Sequence, residues 1–336
     1  MGVGKSPQIP SLPGMLDSLP AYRVAVIGAG VAGAACASRL AALPMISTTV
    51  FDMGSRGPGG RASSRPVDGK GGSFSPLDRG GASPELLSPD VQTLTFDHGV
   101  QAFVCTHPGV QELVDGWIEN GHVSRWPGIF GVLDAATGRF SAGATVEDTY
   151  AFSLLDPEQP KYVGVPSMSA MVAGSLANAV ASGADITPLV GCKVADVAFA
   201  TEGESVSGAR YAITSSDGTT RHFDAVVCAG HAASFAADVA SRLPPDRAEV
   251  SEPFSSDAEA LAAVRRVSYP DGAAPLYALM VAFARPLNLR APFDGAAVVG
   301  PSDLRWISRD SSKPGRVKTA PPEPAPQYPR WPCTAA

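Results

Sequence analysis

Hydrophobic and polar positions near the start of the chain change period twice. An unbroken apolar run at 24–27 gives way to Gly28, Gly30 and Gly33, and an Ala/Leu-rich stretch of helical composition follows until Pro44 stops it. A β-branched run at 48–51 then ends on Asp52. The pattern predicts strand, tight turn, helix and strand. Further on, Val110, Leu113, Val114 and Trp117 share one face of a predicted helix with Thr106 at its N-terminus and Gly121 past its end. A second helix is expected over 164–183, where Met168, Val172, Leu176 and Val180 recur every fourth residue as core filling.

Short alternating runs at 193–199, 210–214 and 219–223 read as a three-strand meander, its last two strands joined by the hairpin signal Ser216-Asp217-Gly218. The apolar run 225–228 follows as a strand returning to a parallel sheet. Ser256-Asp257-Ala258-Glu259 forms a capping box for a helix through Val267, and 277–283, 296–299 and 304–307 read as strands. The Gly/Ser/Pro-rich segment 67–89 reads as an insertion without a core. The proline-rich stretch from Lys318 onward and residues 1–21 are expected to be disordered.

The first three elements carry chemistry. Gly28 permits a tight turn, Gly30 lets the backbone approach a diphosphate with no Cβ in the way, and Gly33 allows close helix–strand packing. The helix N-terminus supplies N–H groups and the positive end of its dipole to phosphate. Asp52, 24 positions after Gly28, suits a ribose diol. A lone G-x-G-x-x-G is weak in a chain so rich in Gly and Ala; the strand–turn–helix–strand context makes it a dinucleotide fingerprint. The loop GSRGPGGRASSR (54–65) carries Arg56, Arg61 and Arg65, and reads either as a second approach to phosphate or as a surface turn. His98 stands where a strand stops, in Asp97-His98-Gly99, either as a structural histidine or as a chemical one.

Composition narrows the partners. With 336 residues, 45% hydrophobic and 17% charged, the chain can bury two cores or one interrupted by another. A net charge of −6 offers no basic face for nucleic acid. Five dispersed cysteines have neither metal spacing nor pairing pattern, so no metal site is expected and the thiols suit a reducing, intracellular compartment, cytoplasmic or organellar. No apolar run is long enough for a membrane span. The N-terminal Met1-Gly2 pattern is too short to establish myristoylation, and Gly4-Lys5-Ser6 lacks the upstream glycine and strand of a phosphate-binding loop.

The motifs VAVIGAGVAGAACASRL, RGPGGRASSR, FDHGVQAF, GVPSMSAM, DAVVCAGHA and LRWISRDSSKPGR together resemble the FAD-dependent amine-oxidase superfamily, most closely its renalase-like branch, over residues 22–316. The resemblance implies an α/β fold: a Rossmann-like FAD-binding domain of the glutathione-reductase type interleaved with a mixed-sheet substrate domain. It implies that Gly28, Gly30 and Gly33 hold the FAD diphosphate and Asp52 the adenosine ribose. Gly60 and Arg61 fall on the phosphate and flavin side, Gly99 near the flavin ring, and Val194 where backbone groups hold adenine. Lys313 matches a segment close to the flavin, or is simply a solvated lysine in a polar run. Family members oxidise small reduced molecules, dihydronicotinamide isomers or amines, with O₂ as electron acceptor. No catalytic side chain is assigned.

The same resemblance implies a closing Gly-Asp segment, yet the chain contains no Gly-Asp dipeptide and the family-like text stops near Arg316, as in a C-terminal truncation. The expected division is an FAD-binding domain from 22–100 and 164–245 and a substrate domain from 101–163 and 246–317, with a leader at 1–21 and a tail at 318–336. Two alternatives stand beside an FAD-dependent oxidase. One is an NAD-dependent dehydrogenase, since Asp52 suits an NAD ribose equally well; the other is a truncated, non-catalytic fragment of a flavin oxidase.

Overall fold

The computed structural model describes residues 21–68, 93–146, 154–200, 209–229, 277–282, 292–316 and 330–331. The opening pattern forms β1 (Tyr22–Ile27), α1 (Val31–Leu40) and β2 (Ile46–Asp52). A single 3-10 turn at Gly60–Ala62 leads into an antiparallel pair, β3 (Ser64–Asp68) and β4 (Thr93–Asp97). Next come α2 (Pro108–Glu119), β5 (Val123–Arg125), β6 (Phe130–Asp134), β7 (Phe140–Ala142) and β8 (Tyr162–Gly164). Helix α3 (Met168–Ala181) and strands β9 (Ile186–Val190), β10 (Val194–Phe199), β11 (Tyr211–Ser215), β12 (Thr220–Phe223) and β13 (Ala225–Cys228) follow. The described residues end with β14 (Val281–Ala282), β15 (Gly295–Val299), β16 (Trp306–Ser308) and β17 (Arg330–Trp331).

The organising sheet is parallel, in the order β13-β1-β2-β9. β1 carries the unbroken apolar run 24–27 because it is covered on both faces. Val24, Val26 and Val50 pack against Ala34 and Ala37 of α1 and Met171, Val172 and Leu176 of α3. Ala25, Ile27 and Phe51 face the opposite way, onto the β10-β11-β12 meander through Val197, Ile213 and Phe223. Phe51 and Phe223 meet edge to face, their centroids 5.7 Å apart. A second sheet, in the order β16-β15-β6-β7, is mixed: β15 runs parallel to β6 and antiparallel to β16. Alternation along β15 sends Ala297 to a cluster with Trp126, Val163 and Trp306, and Ala296 and Val298 to one with Phe293 and Ile307.

Several local expectations shift. Helix α2 is capped by His107, whose Nδ1 accepts from the Gly109 N–H at 3.1 Å, and not by Thr106. Pro108 at the first helical position holds the residue before it in extended backbone, which makes His107 the cap. Residue 164 belongs to β8 and the second helix starts only after Ser167, whose hydroxyl accepts from Ala170 N–H at 3.2 Å. Val180, expected in the core, is 45% exposed. A four-residue repeat advances about 400° along the helix, so each step drifts about 40° and the fourth member has left the buried face. Val110 is also exposed, on the first turn of α2.

Val67 and Asp68, placed in the coreless insertion, complete β3. The strand expected at 304–307 is β16, shifted to begin at Trp306. Arg330 and Trp331, in the stretch expected to lack structure, pair with β14. The capping box at 256–259, its helix and residues 1–20 lie outside the described residues. The described cysteines, Cys36, Cys105, Cys192 and Cys228, are free, and among the described residues no group of three metal-ligand side chains converges.

The tightest constraint lies between α1 and the turn before it: a Cβ on Gly33 would sit 1.8 Å from the Gly28 carbonyl oxygen. Gly33→Ala is therefore expected to destabilise the chain by about 3 kcal/mol or more. Urea denaturation checks this, and an unchanged midpoint contradicts the close packing described.

Candidate functional site

The turn from β1 into α1 is built to leave its outer side open. Gly28 has φ of +99°, a left-handed conformation that glycine tolerates, and a Cβ there would meet the Ala229 carbonyl oxygen at 2.7 Å. Gly30 differs: the nearest atom to a Cβ built on it is the Gly59 carbonyl oxygen at 3.9 Å, so protein does not fill the space in front of it. Helix α1 begins directly behind Gly30 with no side-chain cap and no acid in its first turn. Its leading N–H groups and the positive end of its dipole are thus left for an anion.

Asp52 closes the far side of this cradle. Its Oδ2 accepts from Ala29 N–H at 2.8 Å and its Oδ1 from Gly54 N–H at 2.6 Å. Each carboxylate oxygen keeps a lone pair for a ribose hydroxyl. The β9–β10 loop grips the same corner, with Cys192 N–H donating to the Asp52 carbonyl at 2.8 Å and Gly191 N–H to the Gly54 carbonyl at 3.0 Å. Val194 opens β10 just beyond this loop, buried against Phe51 and Val197.

The GGR loop forms the next wall. Gly59 N–H donates to the Ala29 carbonyl at 2.8 Å, and a Cβ on Gly60 would lie 3.3 Å from the Gly30 Cα. Arg61 exposes its side chain, while its carbonyl accepts from Val100 N–H at 3.0 Å. A Cβ on Gly99 would fall 2.1 Å from that carbonyl oxygen, so Gly99 is required by close backbone approach to Arg61. Gly28, Gly30, Gly33, Gly60, Arg61 and Gly99 are therefore linked by close backbone approaches and along the chain, Asp52 joins them through Ala29, and Val194 through the loop that grips Asp52. Cys228 ends β13 nearby, but burial pushes its thiol up to about 11, leaving it protonated and unreactive at neutral pH.

Behind Gly99 lies a buried ion cluster. Asp97 Oδ1 accepts from the Ser64 hydroxyl at 2.7 Å and from Met168 N–H, at the start of α3, at 3.0 Å. Its Oδ2 accepts from Lys313 Nζ at 2.9 Å and from the Arg316 guanidinium. Asp310 completes the set, 3.0 Å from Lys313 Nζ and 2.9 Å from Arg316 Nε. Two acids and two bases balance in charge. Burial alone would raise the Asp97 carboxyl; Lys313, Arg316, the Met168 N–H and the Ser64 hydroxyl together hold it below the usual carboxylate range. Lys313 is 1% exposed, and its ammonium lies 5.5 Å from the centre of the Trp126 ring. The reading of Lys313 as a solvated lysine is thus overturned: two carboxylates and an aromatic face replace its water.

The FDHG and SSKPGR motifs by themselves give Asp97, Asp310, Arg316 and Trp126 no role. Spacing along the chain does not show that two distant motifs exchange charges. The available signal is their complementarity: an acid, Asp97, in one motif, and Lys313 and Arg316 with Asp310 in the other.

The model for the NAD(P)-binding Rossmann-like domain matches residues 26–117, from within β1 through Trp117 of α2. The chain thus carries a dinucleotide-binding Rossmann-like domain in an α/β fold. No curated protein matches the sequence. Among solved structures it is similar to the tetrameric form of 2-methyl-3-hydroxypyridine-5-carboxylic acid oxygenase, with 15% identity and a TM-score of 0.33 over 62% of this chain and 39% of that one. It is similar also to CtdE in complex with FAD, with 11% identity and a TM-score of 0.32 over 61% and 37%. A third is P. aeruginosa PqsL in complex with 2-aminobenzoylacetate, with 13% identity and a TM-score of 0.31 over 62% and 42%. The chain spans about two fifths of the length of these structures.

Asp97→Asn removes one charge from a balanced buried set and is expected to cost about 3–5 kcal/mol in chemical denaturation. Combining it with Lys313→Met restores the balance and should recover part of that loss, whereas strictly additive effects would contradict the pairing. Because the folded Asp97 carboxyl sits below its unfolded value of about 3.9, its contribution is present above pH ~4 and is lost as pH falls below that. The wild type should therefore lose stability on acidification below pH ~4 more steeply than Asp97→Asn.

Proposed function

We propose that the chain is an FAD-dependent oxidoreductase of the amine-oxidase type, renalase-like in its motifs, acting on a small reduced substrate. The observation that carries the reading is convergence: the GGR loop touches both the open glycine turn at Gly30 and the FDHG motif, and the buried cluster fastens the SSKPGR segment to FDHG. These are the pieces on which the family resemblance rests.

The cradle fits a dinucleotide. The uncapped N-terminus of α1 would hold the diphosphate, Asp52 the adenosine ribose, Gly60 and Arg61 the phosphate and flavin side, and backbone at Val194 the adenine, with Gly99 near the ring. Bound there, FAD supplies two-electron oxidation of a dihydronicotinamide isomer or an amine, with O₂ as final acceptor. The chain's own groups bind and orient: Asp52 fixes the turn through Ala29 while presenting its remaining lone pairs, and the Asp97 cluster holds Gly99 and Val100 against the Arg61 carbonyl. The division into a cofactor domain from 22–100 and 164–245 and a substrate domain from 101–163 and 246–317 is part of the same proposal. It is supported by the make-up of the two sheets, one from β1, β2, β9 and β13, the other from β6, β7, β15 and β16.

A second reading, an NAD-dependent dehydrogenase, is favoured by the family description matched over residues 26–117 and by Asp52, which accepts from either ribose. The acid disfavours a 2′-phosphate there.

The test is the visible absorption spectrum of the purified chain, with released flavin quantified after denaturation and FAD and NAD titrated into the remainder. Near-equimolar FAD, or its uptake in preference to NAD, is expected. A colourless chain that takes up NAD alone supports the dehydrogenase reading, and one that takes up neither supports the non-catalytic fragment. Arg61→Ala, at an exposed side chain, should weaken FAD retention about tenfold without changing the unfolding midpoint, as expected for loss of one charge-assisted contact.

A further inference from the structure

The 54–65 loop holds more positive charge than the dinucleotide cradle uses. Arg56 stands close enough to Arg65 to feel its charge: burial first, then Arg65, pulls the Arg56 guanidinium below its usual value. His98 shares their neighbourhood. Burial, then Arg65, then Arg56 press its imidazole below the ordinary histidine value, and Asp97 opposes them only in part. That carboxylate is already engaged by Lys313, Arg316, Ser64 and the Met168 N–H.

Geometry shows what is missing. The Ser63 hydroxyl lies 3.4 Å from His98 Nε2. With the hydroxyl donating to Nε2, the neutral imidazole carries its proton on Nδ1. That Nδ1 and the Arg65 Nε are both shielded from solvent and have no hydrogen-bond partner. A buried donor without an acceptor is costly, and like charges held together are costly in addition. One multivalent oxyanion relieves both: it accepts from both orphaned nitrogens and neutralises the guanidinium pair, and a phosphate offers the oxygens and charge that a single carboxylate does not.

We propose that Arg56, Ser63, Arg65 and His98 form a phosphate-binding subsite on the loop that borders the Gly30 cradle. Its ligand is a nucleotide phosphate, either the diphosphate of the dinucleotide held at α1 or the phosphate of a separate nucleotide substrate. The subsite stands independently of the choice of flavin as cofactor.

Isothermal titration calorimetry of the purified full chain with inorganic phosphate, against sodium chloride at equal ionic strength, tests it. Phosphate is expected to bind above the chloride background. Arg65→Gln and Arg56→Gln should each weaken that binding about tenfold or more, while Arg39→Gln, an exposed cation in the last turn of α1, should leave it unchanged. Arg56 is exposed, so its variant decides the matter should Arg65→Gln fail to fold. Repeating the titration with excess FAD separates the sources: phosphate binding lost under FAD assigns the subsite to the cofactor, and binding that persists assigns it to a second ligand. Absence of phosphate binding above chloride, or binding unchanged in Arg56→Gln, overturns the proposal. Phosphate binding in a chain that takes up no FAD leaves the subsite standing and removes only the flavin reading.

Discussion

Asp97 is the point through which the described parts of this chain are tied together. One buried carboxylate receives the Ser64 hydroxyl from β3, the first N–H of α3, and the two basic groups of the 306–316 segment. A carboxylate out of water is stable only where donors surround it, and Lys313 and Arg316 are stable there only with Asp97 and Asp310 beside them. None of these residues can be buried without the others, which gives widely separated stretches one fixed arrangement. The Gln101 side chain extends the network, donating to the Asp97 carbonyl at 2.5 Å and accepting from the Ser308 hydroxyl of β16.

The consequences reach the cradle. Holding β4 in place fixes the turn at 98–100, whose Gly99 and Val100 press on the Arg61 backbone. The Arg61 loop in turn places Gly59 and Gly60 against Ala29 and Gly30. A chain of backbone contacts, with no room for a Cβ at Gly33 or Gly99, thus runs from the buried ions to the open turn where a dinucleotide phosphate would sit. The arrangement supplies rigidity on one side and open space on the other, as a preorganised binding site requires.

Legibility in the sequence followed locality. β1, α1 and β2 were readable because period, breaker and glycine spacing all lie within one short stretch, and the meander because Gly218 marks its turn at φ of +85°. β9 is not legible: it contains Pro188 and, among the described residues, pairs with β2 alone at the sheet edge, where proline is tolerated and alternation is weak. β6 and β7 are short and carry little of the β-branched signal. Of the candidate site, the glycines and Asp52 were legible because their jobs are backbone jobs set by spacing. The Asp97 cluster was not, because a lysine in a polar run looks solvated until the fold supplies its two carboxylates and the Trp126 face.

On the function proposed, the glycine turn, the GGR loop, the FDHG motif and the 306–316 segment act as one dinucleotide site. Hydrogen–deuterium exchange of the purified chain with and without excess FAD tests it most directly. FAD is expected to slow exchange together at 28–34, 52–62 and 97–101, with slower opening carried into 306–316 through the ion cluster. Protection absent from all four stretches, or present only away from the glycine turn, would contradict it.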